Sequence, residues 1–360
     1  MKLRKVIAMT CGATILAASL AACGNSGSSA SGSSAKAETT AKAAEASTVT
    51  EGTQAADEET FKIDLATAYA ADAPAGVALA KFVEDVKTAS GGSIDISLFT
   101  DGTLGSAGDN YAAVASGDLD MTMAGLEGLD LYAPEYTFLD APFLMQSVEQ
   151  QEAILNSGIG DKLKQIYEDN GFVTLGFHNR DVRVLAANKE VKTPDDVKGL
   201  KLRLPGMTVY VDTWSKLGVS STTVAMSELY TALQTKVAEA CEGGYEQMTT
   251  LKLYEVQKNI METNHVYEFV GLYIHKDLYD RMSDNQKKIL QDCATEDLKY
   301  ADELAAENRE EYKKQCLDGG MTLTEVDTDA FRSALEDYYK EQFNSKWTAT
   351  TYDEVMSYAK

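Results

Sequence analysis

The spacing of apolar and polar residues predicts alternating strands and helices in the first part of the folded chain. Phe61-Lys-Ile-Asp-Leu alternates as a half-buried strand does, and the apolar positions after Pro74 recur with the period of a helix. Gly91-Gly92 ends that helix. In chain order the pattern predicts a strand at 61–65, a helix after Pro74, a strand at 94–99, a helix at 110–116 and a strand at 121–124.

The second part of the chain continues this alternation and contains one unusually long helix. A helical pattern runs from the cap Ser283-Asp-Asn-Gln to about Leu317, which is roughly 50 Å at the rise of an α-helix. Alternating strands and helices indicate an α/β fold whose sheet is largely parallel and covered on both faces. The other predicted elements are helices at 148–166, near Pro194, at 210–217, at 228–236 with Ser227 as N-cap and at 331–343, and strands at 173–177, around Arg183, around Arg203, at 269–274 and at 322–326.

Two arginines lie on strand-like segments that follow one another in this second part. Arg203 stands between Leu202 and Leu204, so a strand with both leucines inward projects the guanidinium to the opposite face. Arg183 belongs to the preceding strand. A guanidinium is a planar fork of donors that matches a carboxylate with two parallel hydrogen bonds. A single strand arginine is more often a surface residue, but the pair suggests a carboxylate-binding site.

The N-terminal segment predicts export and attachment to a membrane. Residues 1–22 combine a basic start with an apolar run that is too short to span a bilayer comfortably, as in a signal peptide. The run closes with Leu20-Ala-Ala-Cys23-Gly, which resembles a bacterial lipobox, so Cys23 is the predicted lipidation site. An ordinary signal peptide and an uncleaved membrane helix are the alternatives. Residues 23–58 then form a predicted flexible tether, because their composition cannot bury enough apolar surface to fold.

The chain is strongly acidic, with 33 basic and 56 acidic residues and a formal charge of -23. Such a surface repels nucleic acid and anionic lipid headgroups, so neither is an expected partner of the folded body. It also repels an anionic ligand at long range. A local basic site therefore has to overcome an unfavourable background field, although physiological salt screens charges beyond about 8 Å.

The sequence contains no pattern typical of an enzyme, a cofactor site or a metal site. Its three histidines, His178, His265 and His275, lack the spacing of helical metal ligands, and no nucleophile elbow or phosphate-binding glycine loop is present. Five cysteines occur, of which Cys11 lies in the signal segment and Cys23 is the predicted anchor. The other three are predicted to be buried small residues, namely Cys241, Cys293 and Cys316.

Several motifs resemble those of the solute-binding proteins of tripartite ATP-independent periplasmic (TRAP) transporters, of the C4-dicarboxylate-binding (DctP) type. The central match covers Pro194-Asp-Asp-Val-Lys-Gly-Leu-Lys-Leu-Arg-Leu-Pro and Ser227-Glu-Leu-Tyr-Thr-Ala-Leu-Gln-Thr, in family order. Upstream, Gly117-Asp-Leu-Asp-Met and Tyr132-Ala-Pro-Glu also fit, so the resemblance spans about residues 60 to 340.

The resemblance implies a two-domain periplasmic-binding-protein-like fold, with the ligand cleft between the domains and a long helix that spans both. On this basis we expect domain I at 59–180 plus 269–308 and domain II at 181–268 plus 309–360. The implied function is an extracytoplasmic receptor, anchored by lipid to the cell membrane, that captures a small carboxylate by domain closure and hands it to integral membrane transporter subunits. A binding protein that serves a sensing system is the alternative, and a secreted enzyme on the same scaffold is a third.

The expected ligand site combines the resemblance with the position of loops beyond strand ends. In the family, the position of Arg203 binds the ligand carboxylate and that of Arg183 commonly supports it. Cys241 and Gly243 depart from the family pattern, and Gly243 and Met226 suggest additional room, which favours a sugar acid over a C4-dicarboxylate. Arg180 could serve a second carboxylate, and whether Arg180 or His178 contacts the ligand is left open. The predicted ligand-binding residues are Arg203, Arg183, Tyr69, Ser106, Gly125, Glu127, Met226, Glu242, Gly243 and Tyr245.

Overall fold

A computed structural model describes residues 58–359 of the protein, all within one compact unit, Thr48–Lys360. The predicted signal segment, Cys23 and the tether lie outside the described residues, except Glu58. The strands are β1 (Phe61–Thr67), β2 (Ile94–Phe99), β3 (Met121–Gly125), β4 (Phe172–Ala187), β5 (Lys201–Leu204), β6 (Ser220–Thr223), β7 (Ala240–Gly243), β8 (Asn259–His275) and β9 (Thr322–Thr324).

Helices cover this sheet along most of the chain. The α-helices are α1 (Pro74–Ala89), α2 (Ala107–Ser116), α3 (Glu127–Tyr132), α4 (Val148–Leu155), α5 (Gly158–Asp169), α6 (Thr208–Lys216), α7 (Leu229–Gln234), α8 (Tyr245–Thr250), α9 (Lys276–Arg281), α10 (Asp284–Asp318), α11 (Thr328–Phe343) and α12 (Tyr352–Ser357). Short 3-10 helices occupy Pro134–Asp140, Pro194–Val197, Met226–Glu228 and Leu253–Glu255.

Nine strands form one mixed sheet in the order β2-β1-β3-β8-β4-β7-β5-β6, with β9 paired to β8. The prediction of a largely parallel sheet holds for the outer strands, where β1 pairs in parallel with β2 and β3, and β5 with β6 and β7. It is wrong for the centre, because β8 is antiparallel to both β3 and β4, and β4 to β7. These two long strands connect the two halves of the sheet. The largest apolar core contains residues of both halves, and a smaller core lies in each half.

The long helix α10 packs against both halves, as the sequence predicted. It has 35 residues and begins with a capping box, in which Ser283 and Gln286 each satisfy a backbone N–H of the other. At one end its buried residues belong to the same apolar core as α1, and at the other Cys316 belongs to the core around Tyr245. All three cysteines outside the N-terminal segment are free and buried, which confirms that prediction.

Three predicted helices differ in detail from the structure, and the strands predicted at 173–177 and around Arg183 form one strand, β4. The predicted helix at 148–166 is two helices, because Ser157 caps a new helix after the break at Asn156. Ser227 is not a helix cap, since a 3-10 turn occupies Met226–Glu228 and α7 begins at Leu229 without a side-chain cap. The helix predicted near Pro194 is a single 3-10 turn that ends at Val197. The segments at Pro194–Val197 and Leu229–Gln234 offer fewer than two helical turns each, which local propensity alone does not sustain.

A partly buried ion pair joins α1 to α10. Lys81 Nζ donates to Asp297 Oδ1 at 2.6 Å and also to Asp85 on its own helix. Asp297 is 2% exposed, and its second oxygen, Oδ2, has no hydrogen-bond partner. Burial is the largest influence on this carboxyl and raises the pKa of Asp297 to about 6.

Because the folded state holds the proton on Asp297 more tightly than the unfolded chain does, this group stabilises the fold in acid and less as the pH rises through about 6. Asp297→Asn removes that titration. We expect the free energy of unfolding of the parent to fall relative to the variant between about pH 4 and pH 7, as measured by urea denaturation. Asp292→Asn, at an exposed position on the same helix, is the control. An identical pH slope in the parent and both variants would contradict the assignment.

Candidate ligand-binding site

The site is built around an irregular stretch of β4 that contains Arg180 and Arg183. In a regular strand, residues three apart point to opposite faces. Here the register with β8 shifts between Asn179 and Asp181 and again after Arg183. Arg180 is the extra residue at the first shift, and the resulting bulge allows both guanidinium groups to reach the same carboxylate, that of Glu268 on β8.

Arg183 is held by two carboxylates. Its Nε and Nη2 donate to the two oxygens of Glu242 on β7, at 2.6 and 2.8 Å, and its Nη1 donates to Glu268 Oε2 at 3.2 Å. The guanidinium also lies over the ring of Tyr210, 5.4 Å from its centroid. Arg183 is 8% exposed and Glu242 is fully buried, so this bidentate pair is formed in a desolvated environment.

Arg180 continues the same set of contacts. Its Nη1 donates to Glu268 Oε1 and its Nη2 to Glu246 Oε2, both at 2.9 Å, and its guanidinium lies 4.8 Å from the ring centroid of Tyr69. We call the five charged residues the arginine network, and they are Arg180, Arg183, Glu242, Glu246 and Glu268. Its three carboxylates carry one charge more than its two guanidinium groups.

A buried histidine completes the surroundings of Glu242. His265 Nε2 lies 3.1 Å from Glu242 Oε2, and its Nδ1 lies 2.7 Å from the hydroxyl of Thr263. Burial lowers the pKa of His265, so the neutral ring donates from Nε2 and accepts at Nδ1. Burial alone would raise the pKa of Glu242, but Arg183 and His265 outweigh it and hold this pKa at about 2.

Arg203 differs from the other two arginines because no acidic side chain neutralises it. Its side chain is 3% exposed, and its Nε donates to the carbonyl of Val224 at 2.9 Å. Within residues 58–359, neither Nη atom of Arg203 has a hydrogen bond or an ion pair. Burial lowers the pKa of Arg203, and the nearby charges of Glu242 and Arg183 act on it in opposite directions. The guanidinium therefore presents two free donor groups.

The two arginines do not lie on adjacent strands. The sheet order places β7 between β4 and β5, with Arg203 in register with Cys241. The next residue of β7 is Glu242, which binds Arg183. Strand β7 thus supplies the carboxylate of Glu242, which neutralises Arg183. It supplies no carboxylate to Arg203, and this difference distinguishes the two arginines.

Three other predicted site residues lie together beside Arg180. Gly125 ends β3, and a side-chain carbon placed on it would lie 2.3 Å from Glu127 Oε2 and 3.4 Å from the hydroxyl of Tyr69. Tyr69 in turn stacks on Arg180. Burial raises the pKa of Glu127, which Glu268 raises further and Arg180 lowers. A side chain at position 125 would displace the Glu127 carboxylate, and the structure brings these three residues together.

The space at Gly243 is occupied by a neighbouring side chain. A carbon added at this position would lie 2.5 Å from Gln247 Oε1, and Gln247 Nε2 donates to the carbonyl of Glu242 at 3.1 Å. The expectation that Gly243 enlarges the site therefore does not hold in this structure, since the Gln247 amide fills the position from the first turn of α8.

The structure places three predicted residues in other surroundings. Ser106 is exposed and forms the capping box of α2 with Asp109. Tyr245 is fully buried, and its hydroxyl donates to Glu262 at 2.9 Å. Met226 is 49% exposed and follows Val224, the carbonyl partner of Arg203, by two residues. Among the described residues, no hydrogen bond or ion pair connects these three to the arginine network.

Sequence reasoning missed several polar residues of the site. Asp140 is 4% exposed, accepts a hydrogen bond from the Tyr210 hydroxyl at 3.2 Å, and has its pKa raised by burial. Glu268 binds both network arginines. The sequence does indicate both residues, because each acidic residue interrupts an otherwise apolar stretch. These stretches are Phe138-Leu-Asp140-Ala-Pro and Tyr267-Glu268-Phe-Val.

His178 contacts α10, and within residues 58–359 its side chain forms no hydrogen bond with the arginine network. It is fully buried, and its Nδ1 lies 2.7 Å from Asp302 Oδ1 on α10. No group of three or more potential metal ligands occurs in the part of the chain that the structure describes. Across residues 58–359, no helix combines the length and apolarity needed to cross a membrane.

Comparison with known proteins identifies the family. Residues 65–346 match the DctP family, described as bacterial extracellular solute-binding protein, family 7. A solute-binding protein of Roseobacter denitrificans is 32% identical over 263 residues, which are 72% of this chain and 80% of that protein. The 2,3-diketo-L-gulonate-binding periplasmic protein YiaO of Escherichia coli is 29% identical over 269 residues, 74% of this chain and 82% of that protein.

The fold agrees with the same assignment. The structure of a TRAP periplasmic solute-binding protein from Ochrobactrum anthropi superposes with a TM-score of 0.77 at 27% identity, covering 83% of this chain and 95% of that one. This confirms the predicted two-domain binding-protein fold with its long helix. Proteins of this family bind solutes for transporters and are not enzymes. The chain belongs to the DctP family of extracellular solute-binding proteins, the binding proteins of TRAP transporters.

Proposed function

We propose that this protein captures a small monocarboxylate of the sugar-acid class and that Arg203 binds its carboxylate. One observation carries the proposal: a desolvated guanidinium without an acidic partner among the described residues. Burial of an unpaired charge costs free energy, which a bound carboxylate offsets by a bidentate, charge-assisted contact. The ligand thus supplies the counter-charge that the protein provides for Arg183 but not for Arg203.

Arg183 donates hydrogen bonds to the ligand, whereas Arg203 neutralises the charge of the ligand carboxylate. Three of its five N–H groups are used by Glu242 and Glu268, which leaves two to donate to a ligand oxygen. Its position is fixed by the bidentate pair, so these donors are oriented before the ligand arrives. We therefore keep both arginines in the proposed site, with different roles.

The surroundings of Arg180 favour a sugar acid over a dicarboxylate. A second carboxylate needs a second unpaired cation, but Arg180 is already bound by Glu246 and Glu268. Hydroxyl groups instead need acceptors, and Glu127, Asp140 and the hydroxyl of Tyr69 surround the network. The relative named for 2,3-diketo-L-gulonate, a sugar acid, supports the same choice.

The remaining parts of the proposed function concern delivery to the membrane. We propose that Cys23 carries a lipid anchor, that residues 23–58 tether the folded body to the outer face of the cell membrane, and that integral membrane TRAP subunits receive the ligand. The lipobox-like Leu20-Ala-Ala-Cys23-Gly supports the anchor. The proposed domains meet near residues 180 and 268, where β4 and β8 pass between the two halves of the sheet.

A thermal-shift screen tests the ligand class. Galacturonate, gluconate, gulonate and sialate are compared with succinate and malate, each at the same concentration. We expect at least one sugar acid to raise the melting temperature, since a ligand at one hundred times its Kd stabilises the folded state by about 2.7 kcal/mol. The dicarboxylates are expected to give no shift.

The screen has a control in the protein itself. Arg203→Ala should abolish the shift caused by the active sugar acid, whereas Arg281→Ala, at an exposed surface position, should not change it. A shift with succinate or malate alone would overturn the sugar-acid assignment. A shift that persists in Arg203→Ala would overturn the proposed carboxylate contact.

A further inference from the structure

A cavity distinct from the arginine network lies at the opposite end of the same half of the sheet. Its volume is about 730 Å³, within the range of small-molecule sites. Its wall includes residues that immediately precede β5, β7 and β8, namely Leu200, Glu239 and Lys258, together with Asn188, which follows β4. We call it the lysine cavity.

The charge of the lysine cavity is opposite to that of the whole chain. Four lysines and two glutamates line it, whereas the chain carries a formal charge of -23. Lys236 and Lys258 form no ion pair within residues 58–359. Lys189 donates to the carbonyl of Asp196, and Lys198 binds the exposed Asp195. The ammonium groups of Lys236 and Lys258 are therefore not neutralised by an acidic side chain of the described chain. The four lysines of the cavity are Lys189, Lys198, Lys236 and Lys258.

A buried amide without partners also belongs to the wall of this cavity. Gln257 is 2% exposed, and within the described chain neither its Oε1 nor its Nε2 has a hydrogen-bond partner. Leaving both atoms of a buried amide unpaired costs free energy, and such groups need a specific reason. A rotation of this side chain into the cavity would offer a donor and an acceptor to the same ligand.

The position of the lysine cavity separates it from the carboxylate site. Lys258 immediately precedes Asn259, which pairs with Ala187, whereas Glu268 of the arginine network pairs with Asp181. These two partners are six residues apart on β4, roughly 20 Å at the rise of a strand. Arg203 and Glu242 lie toward the other ends of β5 and β7. A ligand in the lysine cavity therefore does not compete for the same donors.

We propose that the lysine cavity binds a small organic phosphate that carries a hydroxyl group. Lysine ammonium groups bind phosphate as point charges, and two of those in this cavity have no acidic partner among the described residues. The amide of Gln257 complements a neighbouring hydroxyl, which both accepts and donates a hydrogen bond. A free metabolite and the headgroup of a glycerophospholipid share this chemistry.

Titration calorimetry with glycerol 3-phosphate tests the proposal, using the full chain with Arg203→Ala so that the carboxylate site does not contribute. We expect saturable binding to one site. Adding Lys236→Ala and Lys258→Ala together should weaken it at least about tenfold, because both unpaired ammonium groups are lost. Gln257→Leu should weaken binding without destabilising the fold, since the amide has no partner to lose.

Two comparisons keep the outcome specific. Lys162→Ala, on the exposed face of α5, removes one charge outside the cavity and should leave binding unchanged. Flotation with phosphatidylcholine vesicles, with and without phosphatidylglycerol, distinguishes a lipid ligand from a soluble one. Binding only to the vesicles that contain phosphatidylglycerol identifies a lipid headgroup as the ligand. Binding of soluble glycerol 3-phosphate identifies a free metabolite. No binding to either probe, or equal loss in Lys162→Ala and the double variant, overturns the proposal. Sugar-acid binding by the parent is tested separately and is independent of this result.

Discussion

Replacing Arg203 by alanine is expected to weaken binding of the sugar acid by about 30-fold to several thousandfold. Truncating one partner of a buried, hydrogen-bonded charge pair costs about 2 to 5 kcal/mol, because the ligand carboxylate is left desolvated without a counter-charge. Arg203→Lys keeps the charge but loses the planar fork, so its affinity should lie between those of the parent and the alanine variant. Titration calorimetry with the acid identified by thermal shift measures all three.

The same variant has an unusual expected effect on the ligand-free protein. Because Arg203 has no acidic partner in the described structure, Arg203→Ala removes an uncompensated buried charge and should leave the melting temperature unchanged or raise it. A loss of affinity together with a loss of stability would indicate a structural role instead. Undiminished affinity in Arg203→Ala would contradict the proposed contact outright.

Replacing Glu242 by glutamine is expected to destabilise the fold by about 3 to 5 kcal/mol. Glu242 is fully buried and accepts hydrogen bonds from Arg183 and His265, so its neutral replacement leaves the Arg183 guanidinium with a single carboxylate, Glu268. Urea denaturation of the parent and the variant measures the difference. Glu303→Gln is the control, since Glu303 is exposed on α10 and forms only a 3.9 Å pair, worth less than about 1 kcal/mol.

A double-mutant cycle separates the pair from its surroundings. Arg183→Met combined with Glu242→Leu replaces both charges by apolar groups of similar length. The sum of the two single losses should exceed the loss in the double variant by about 1 to 3 kcal/mol. Additive losses would show that Arg183 and Glu242 do not stabilise one another.

The pH dependence of this effect has a defined sign. The folded state holds the pKa of Glu242 at about 2, below its ordinary value of 4.5, so the ionised carboxylate is favoured on folding. Its contribution is fully present above about pH 4.5 and is lost as the pH falls toward 2. The difference in stability between the parent and Glu242→Gln should therefore narrow on acidification, and a constant difference would contradict the low pKa.

The main elements of the fold could be predicted because they depend on local patterns. The capping box at Ser283 and the period of α10 determine a long helix wherever it packs, and the alternation at 61–65 specifies a strand. The antiparallel pairing of β4 with β8 could not be predicted in the same way, since strand direction is set by contacts between residues far apart in the chain. The break between α4 and α5 was missed for a different reason, because the apolar pattern continues across Asn156.

The candidate site shows the same division at the level of single residues. Arg183 is readable as an arginine on a strand, but the bulge that aligns Arg180 with it arises from pairing with β8. Gly243 was interpreted as room for a ligand, and the Gln247 amide takes that room because α8 begins immediately after the strand.

By itself, the sequence determined the family, the long helix and the presence of a guanidinium suited to a carboxylate, because motifs and hydrophobic periods are local properties of the chain. Only the tertiary structure decided which arginine remains without a partner. That outcome depends on β7 lying between β4 and β5, where Glu242 binds Arg183 and no carboxylate reaches Arg203 in the described chain. Charge compensation in a buried site is a property of three-dimensional neighbours, and the order of strands in a sheet sets those neighbours.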